Sequence, residues 1–240
     1  SGGVCVFPTV EAACSASIAA IQAGIPVARM ELADETQVRA INLYSKLALR
    51  ESPTLFLEFH GSPAGVEEQA QRFGEIAEDQ GGGPFEWATR AEDRSRLWQA
   101  RHDAYWSALA LRPGGAALST DVCVPISRLA ECVVATQQDI AGAGLIAPIV
   151  GHVGDGNFHV IVVMDPTDKA EKSAVEGFLD RLVERALAMG GTSTGEHGIG
   201  QKKVRYMVRE HGEAAVGAMR AVKQALDPLG IMNPGKVLPS

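Results

Sequence analysis

Apolar positions along this chain switch repeatedly between a period of two and a helical period. Val4-Cys5-Val6-Phe7, Val27 to Leu32 and Leu55-Phe56-Leu57-Glu58-Phe59 read as strands. Longer stretches with helical spacing separate them. Val10 to Ala23 is stopped by Gly24, Asp34 can cap a helix through Leu49, and Val66 to Gln80 ends at Gly81-Gly82-Gly83. Phe85 to Trp87 reads as a short strand, and Glu92 to Leu111 as one long helix closed by Pro113-Gly114-Gly115. Asp121 to Val124 follows as a strand, then helices over Ser127 to Ala141 and Lys169 to Met189, and two helical pieces between Val204 and Leu226.

The clearest local signal is a hairpin. Apolar runs around Ile149-Val150 and Val160-Ile161-Val162-Val163 flank Gly154-Asp155-Gly156-Asn157. With those four residues as the turn, Val153 pairs with Phe158 and His152 with His159, which puts both imidazoles on one face. Antiparallel neighbours of this kind disfavour a parallel doubly-wound sheet. The expected architecture is one α+β domain over residues 1–240, a mainly antiparallel sheet with packed helices. A weak repeat accompanies it: Val4-Cys5-Val6, Cys14 and Gly24 recur at an offset of 118 as Val122-Cys123-Val124, Cys132 and Gly142. Each copy reads strand, helix, glycine, strand, so two related units can build one sheet.

Composition narrows the function classes. At 46% hydrophobic and 21% charged, the chain has the makeup of an ordinary globular protein. A net charge of −7 and a pI near 5.4 argue against a general binder of nucleic acid or anionic membrane. No apolar run approaches the roughly 20 residues that span a bilayer. The start, Ser1-Gly2-Gly3, has no basic leader and runs straight into a strand, as though cut from something longer. Cys5, Cys14, Cys123 and Cys132 show no C-x-x-C spacing and read as small apolar residues in a reducing compartment.

Candidate chemistry concentrates in two glycine-bounded segments. Gly151-His152-Val153-Gly154-Asp155-Gly156-Asn157-Phe158-His159 and Gly195-Glu196-His197-Gly198-Ile199-Gly200 hold three of the six histidines and a glutamate. Two imidazoles on one hairpin face can chelate a divalent ion, and Glu196 is the obvious third donor; the bland alternative is a polar sheet edge. His197 suits general-base work at neutral pH, or else only caps a turn. Arg101 offers a carboxylate-binding fork, against the ordinary fate of a solvated arginine on a long helix. His60, His102 and His211 read as surface or satisfied histidines rather than ligands. Dinucleotide, P-loop, calcium-loop and serine-hydrolase fingerprints are absent from the sequence.

At these residues the chain resembles a known family. His152-Val153-Gly154-Asp155-Gly156-Asn157-Phe158-His159, Gly195 to Gly200 and Met232-Asn233-Pro234-Gly235-Lys236 look like the three signature segments of the FAD-linked oxidase C-terminal domain. Pro53 to Gly61, Leu97 to Ala104 and Ser119 to Pro125 resemble its D-lactate dehydrogenase branch.

The resemblance implies a ferredoxin-like substrate-binding cap, with FAD held mainly by an N-terminal domain outside this chain and a C-terminal tail that returns to it. It implies a divalent metal, zinc or manganese, on His152, His159 and Glu196, which would hold the substrate's α-hydroxyl and carboxylate. His197 would take the hydroxyl proton as hydride leaves for the flavin, Arg101 would grip the carboxylate, and Asn157 and Asn233 would face the flavin. Tyr105 and Ser119 stand where dicarboxylate-specific relatives need a second anion clamp, which favours a small 2-hydroxy acid such as D-lactate over D-2-hydroxyglutarate. A cytochrome, quinone or electron-transfer flavoprotein would accept the electrons. The resemblance further implies a homodimer as one possible assembly, in the cytoplasm or at the inner membrane's periphery, mitochondrial if eukaryotic. The competing readings are a glycolate oxidase-type or D-2-hydroxyglutarate-type subunit of the same family, an independent metallohydrolase on His152, His159 and Glu196, and a non-catalytic module whose hairpin serves folding alone.

Overall fold

The computed structural model describes residues 1–88 and 91–239. Eight strands and eight α-helices follow one another along the described residues. They run β1 (Gly2–Val6), α1 (Val10–Gln22), β2 (Val27–Ala33), α2 (Glu35–Ser45), β3 (Thr54–Phe59), α3 (Pro63–Asp79), β4 (Glu86–Ala88) and α4 (Ala91–His102). The second half continues with α5 (Ala104–Ala110), β5 (Ala116–Ser119), β6 (Val122–Cys123), α6 (Leu129–Ala143), β7 (Ile149–His152), β8 (Asn157–Met164), α7 (Lys169–Ala188) and α8 (Met207–Leu226). Side-chain caps mark several starts: Thr9, Asp34, Ser62 and Asp168 each accept a first-turn backbone N–H. Pro63 at the first helical position begins α3 three residues before the apolar pattern does. Helix α2 stops at Ser45 rather than Leu49, because Lys46 turns left-handed at φ 52°.

The strands form one sheet in the order β4-β1-β3-β2-β7-β8, with β5 and β6 lying successively along the outer side of β8. Every pairing among the described residues is antiparallel, so the α+β expectation holds. The repeat has a structural counterpart. Read outward from the β2–β7 pair, each half presents the same series, β2-β3-β1 and β7-β8-β6. Cys14 on α1 and Cys132 on α6 meet in the same core.

Strand alternation gives the sheet two unlike faces. Met30, Leu32, Leu55, Leu57, Phe59, Ile149, Phe158, Val160 and Val162 point to one side and pack with α1, α3, α6 and α7 in the main core. Each fully buried Leu, Val or Phe there contributes about 1.5–3 kcal/mol of transfer free energy. The opposite face carries two smaller clusters. Ala33 and Phe56 pack with Val38, Ile41 and Ala100, while Val150, Ile161 and Val163 pack with Ala104 and Ala108.

Those two clusters account for a break that sequence did not announce. Glu92 to Leu111 is not one helix but α4 and α5, separated at Asp103 (φ −80°, ψ 14°) without glycine or proline. The bend lets α4 press Ala100 onto the first cluster and α5 press Ala104 and Ala108 onto the second. β5 is a strand that the Gly-rich stretch before it concealed. In the last segment a single 3-10 turn (Val204–Tyr206) precedes α8, whose helix is interrupted at Gly212 (φ 77°).

The hairpin register also differs from expectation. His152 pairs with Asn157 and Val150 with His159, so the loop is Val153 to Gly156, closed by Asp155 N–H to the His152 carbonyl at 3.0 Å. The offset from the expected register is two residues. An even shift keeps every side chain on its face, and His152 and His159 remain neighbours, diagonal rather than opposed.

Candidate metal and proton-transfer site

His152 and His159 project from the sheet face that α4 and α5 partly cover, with ring centroids 5.6 Å apart. Each uses its Nδ1 on an oxygen. His152 Nδ1 lies 2.7 Å from Glu31 Oε1, and His159 Nδ1 lies 2.9 Å from the Thr120 carbonyl. The Thr120 carbonyl can only accept, so Nδ1 of His159 carries the proton and Nε2 keeps its lone pair. Both Nε2 atoms turn toward Glu196 Oε1, at 3.3 Å for His152 and 3.1 Å for His159. Three donors bonded at about 2.1 Å to a tetrahedral ion stand about 3.4 Å apart, so these separations suit one divalent cation. His152, His159 and Glu196 therefore fit a metal site with an open fourth position, and their outward nitrogens are already oriented.

His197 joins the same cluster. Its ring stacks on His159 at 5.1 Å, and its Nε2 is 3.5 Å from Glu196 Oε1. Asp121, His159 and His197 form a second set of close donors. That set is the poorer ligand group, because the Asp121 carboxylate is committed elsewhere and His159 would have to give up its bond to Thr120. Glu196 and His197 are 45% and 52% exposed, so the cluster is open on one side.

Two residues that sequence reading passed over organise this site. Asp121, buried beside β6, accepts from Thr194 Oγ1 at 2.8 Å, from the backbone N–H groups of Glu196 (3.1 Å) and His197 (2.9 Å), and from Lys203 Nζ (3.1 Å). Burial works to raise its carboxyl, but the donors from His197, Thr194 and Lys203 together hold it well below the usual carboxylate range. Glu31, on β2, is opposite His152 in the strand register. Its hydrogen bond lifts the His152 imidazole above its ordinary value, against burial and the nearby Arg101 charge. Burial pushes His159 the other way, toward the neutral form that a ligand needs.

Arg101 comes in from the last turn of α4, where Nη2 donates to Glu31 Oε2 at 2.8 Å and Nε is buried with no partner. It is thus joined to the histidines through Glu31. Asn157 is buried under the Glu196 loop: a Cβ on Gly195 would sit 2.4 Å from Asn157 Oδ1, an atom that itself lacks a partner. Asn233 lies in the exposed tail at φ 46°, and no hydrogen bond among the described residues ties its side chain to the histidines. The tail touches the site loop through Val237 N–H to the Gly200 carbonyl at 2.8 Å. Tyr105 and Ser119 are turned to backbone carbonyls, Ala117 and Thr120. His60, His102 and His211 lie at the surface, as expected. The cysteines are free thiols; Cys5, Cys14 and Cys132 are buried as expected, whereas Cys123 is partly exposed.

An antiparallel sheet with helices on both faces and a His–His–Glu cluster open on one side is the arrangement that the resemblance to the FAD-linked oxidase C-terminal domain led us to expect. The fold agrees. The 4-ethylphenol oxidase from Gulosibacter chungangensis superposes with a TM-score of 0.73 at 15% identity, over 99% of this chain and 53% of that one. p-Cresol methylhydroxylase gives 0.70 at 14% identity, over 98% and 52%. In sequence, the family described as FAD linked oxidases, C-terminal domain, matches residues 2–237, and the chain belongs to it. "Probable D-lactate dehydrogenase, mitochondrial" of Danio rerio is 51% identical over 98% of this chain and 47% of its own length. "D-lactate dehydrogenase [cytochrome], mitochondrial" of Arabidopsis thaliana is 42% identical over 98% and 42%. A glycolate oxidase subunit of Bacillus subtilis is more distant, at 31% identity over 97% of this chain and 49% of its own length. The chain thus spans about half the length of the curated relatives it matches. Among the described residues no helix is long and apolar enough to cross a membrane.

Proposed function

We propose that residues 1–240 are the substrate- and metal-binding part of an FAD-dependent D-2-hydroxy acid dehydrogenase that oxidises D-lactate to pyruvate. The observation that carries this reading is the convergence of three imidazole Nε2 atoms on Glu196 Oε1, at 3.1, 3.3 and 3.5 Å. His152, His159 and Glu196 would hold a zinc or manganese ion, with His197 beside it as the base. A bound metal would make the substrate hydroxyl more acidic, and a bound flavin would accept the hydride.

This chain's own residues supply the rest. His197 Nε2 receives the hydroxyl proton, helped by its half-exposed position next to the Glu196 carboxylate. Arg101 presents its free guanidinium edge to the substrate carboxylate. Asn157 and Asn233 would meet the flavin, and the tail would return to the flavin domain. The exposed apolar series Leu226, Leu229, Ile231 and Met232 supports that return. Neither Tyr105 nor Ser119 offers a cation for a second carboxylate, which favours a small monocarboxylate. The name of the Arabidopsis protein supports a cytochrome acceptor, and the names of both the Arabidopsis and the Danio proteins support a mitochondrial place in a eukaryote.

The test is steady-state kinetics of the complete protein with D-lactate, glycolate and D-2-hydroxyglutarate, before and after chelation. The expected result is D-lactate preference lost with the metal and restored by adding it back. Turnover of D-lactate by residues 1–240 alone, or chelator-sensitive ester hydrolysis, would overturn the proposal.

A further inference from the structure

Glu31 sits where a carboxylate is least expected. It lies in the middle of β2, between the core residues Met30 and Leu32, and its side chain is only 11% exposed. A buried carboxylate costs free energy unless its oxygens are bonded, and an apolar residue of similar size would be easier to bury at such a position. Here the two oxygens go to different partners. Oε1 takes His152 Nδ1 at 2.7 Å, and Oε2 takes Arg101 Nη2 at 2.8 Å.

We infer that Glu31 is the positioning residue that joins the two arms of the site, orienting a metal ligand and the anion-binding arginine with one carboxylate. The inference rests on the dehydrogenase reading for the roles of those two arms. The chemistry follows from what each partner has to give. A carboxylate oxygen can only accept, so His152 carries its proton on Nδ1 and keeps the Nε2 lone pair for the side facing Glu196. The cross-strand register, Glu31 opposite His152, makes this a short-range contact between two paired strands rather than a loop contact. On the other arm, holding Nη2 stops the guanidinium from turning about its long stem. Arg101 Nε then remains inside, buried and without a protein partner. One carboxylate thus sets both the direction of the metal-facing lone pair and the plane of the anion-binding fork.

The inference also explains why the site spans α4 and the sheet. α4 reaches the histidines through Glu31, whose ion pair with Arg101 spans 70 residues of sequence. Glu31 itself touches neither the open ligand position nor His197 in any hydrogen bond among the described residues, which makes it a support and not a reacting group.

The experiment compares the complete protein with its Glu31→Gln variant. A Gln can accept from His152 or from Arg101 with its single amide oxygen, but not from both. Zinc and manganese affinity is measured by competition with a chromogenic chelator, folding by thermal melting, and D-lactate kinetics with metal in excess. Nitrogen-15 NMR on the metal-free protein reads the His152 tautomer. The expected result is roughly ten- to hundredfold weaker metal binding, the range seen when partners of ligand histidines are removed. A KM raised about tenfold with a smaller change in kcat, and a His152 no longer held in one tautomer, complete it.

A folded variant with metal affinity and KM both within twofold of wild type would overturn the inference, as would a wild type that binds neither metal. If Glu31→Gln does not fold, Glu31→Asp serves instead. It keeps the charge but is too short to span both partners, so at least one of the two readouts must change. A wild type inert toward D-lactate whose metal affinity still drops in the variant sinks the dehydrogenase reading and leaves Glu31's role standing. An active wild type with an unaffected variant does the reverse.

Discussion

The backbone N–H of His197 donates to Asp121 Oδ2 at 2.9 Å, across 76 residues of sequence. The same carboxylate receives the Glu196 N–H and the Thr194 hydroxyl, and Lys203 Nζ bonds both it and the Asp121 carbonyl. The loop that bears a metal ligand and the base is therefore shaped by a single buried acid outside it, much as a capping residue gathers orphan N–H groups at a helix start.

Asp121→Asn should loosen this loop. It removes the charge that compensates Lys203 and halves the acceptors available to the backbone donors. The expected loss is about 2–4 kcal/mol of stability, by analogy with other broken buried networks, together with weaker metal binding. Because the folded carboxyl is held below its unfolded value near 3.9, its stabilisation is complete above that pH. It is lost as pH falls through the lower folded value. Urea melts of both proteins at pH 7 and pH 3 check this: the gap should shrink at the lower pH.

Gly156→Ala should disturb the hairpin. Gly156 has φ 78°, and a Cβ there would fall 2.2 Å from the Val124 carbonyl, so strain and collision act together. A left-handed alanine alone costs roughly 1–2 kcal/mol, and the backbone contact leaves no soft side chain to yield. The β6 edge, joined by Val124 N–H to the Gly156 carbonyl at 3.0 Å, should separate from β8. A drop in melting temperature with reduced zinc affinity is the expected readout; unchanged values of both would contradict it.

A metal that binds the folded state alone must stabilise it. At a free concentration about a hundredfold above its dissociation constant the gain is about 2.7 kcal/mol. Zinc or manganese should therefore raise the melting temperature of the chain. His159→Ala should abolish that rise, since His159 Nε2 lies 3.1 Å from the Glu196 carboxylate at the centre of the donor set. A metal-induced shift that survives the substitution would place the ion elsewhere.

Much of this fold was legible because strand parity tolerates error. The expected register was two residues out, yet both histidines fell on the correct face, since side-chain facing depends on odd or even position and not on the exact register. The repeat was legible for a similar reason: Cys14 and Cys132 mark equivalent points on helices that meet in one core. Glu31 was not legible. In Val27-Ala28-Arg29-Met30-Glu31-Leu32 it alternates as a solvent-facing residue, and only the packing of α4 over that face turns it into a buried one. Asp121 was read as one more strand residue, because its partners lie 73 to 82 positions away. The break at Asp103 had no Gly or Pro to announce it; two separate apolar clusters on the sheet demand it.

Asp34 gives the chain an unusual pH response. It caps α2, with Oδ1 accepting the Gln37 N–H at 2.7 Å, but is so deeply buried that its carboxyl is pushed up to about 7. Burial is the main cause and the Glu35 charge adds to it, while N–H groups of Gln37 and Ile149 oppose it. The folded state therefore holds a proton that the unfolded chain releases near pH 3.9. Between about pH 4 and 7 the folded state binds more protons than the unfolded one, so stability contributed by this group falls as pH rises, by at most about 1.4 kcal/mol per unit. Asp34→Asn keeps an acceptor for Gln37 and removes the ionisation. The variant should gain on wild type as pH rises from 5 to 8, by an amount on the order of a few kcal/mol. Urea melts across that range measure it, and parallel curves would show that Asp34 does not titrate there.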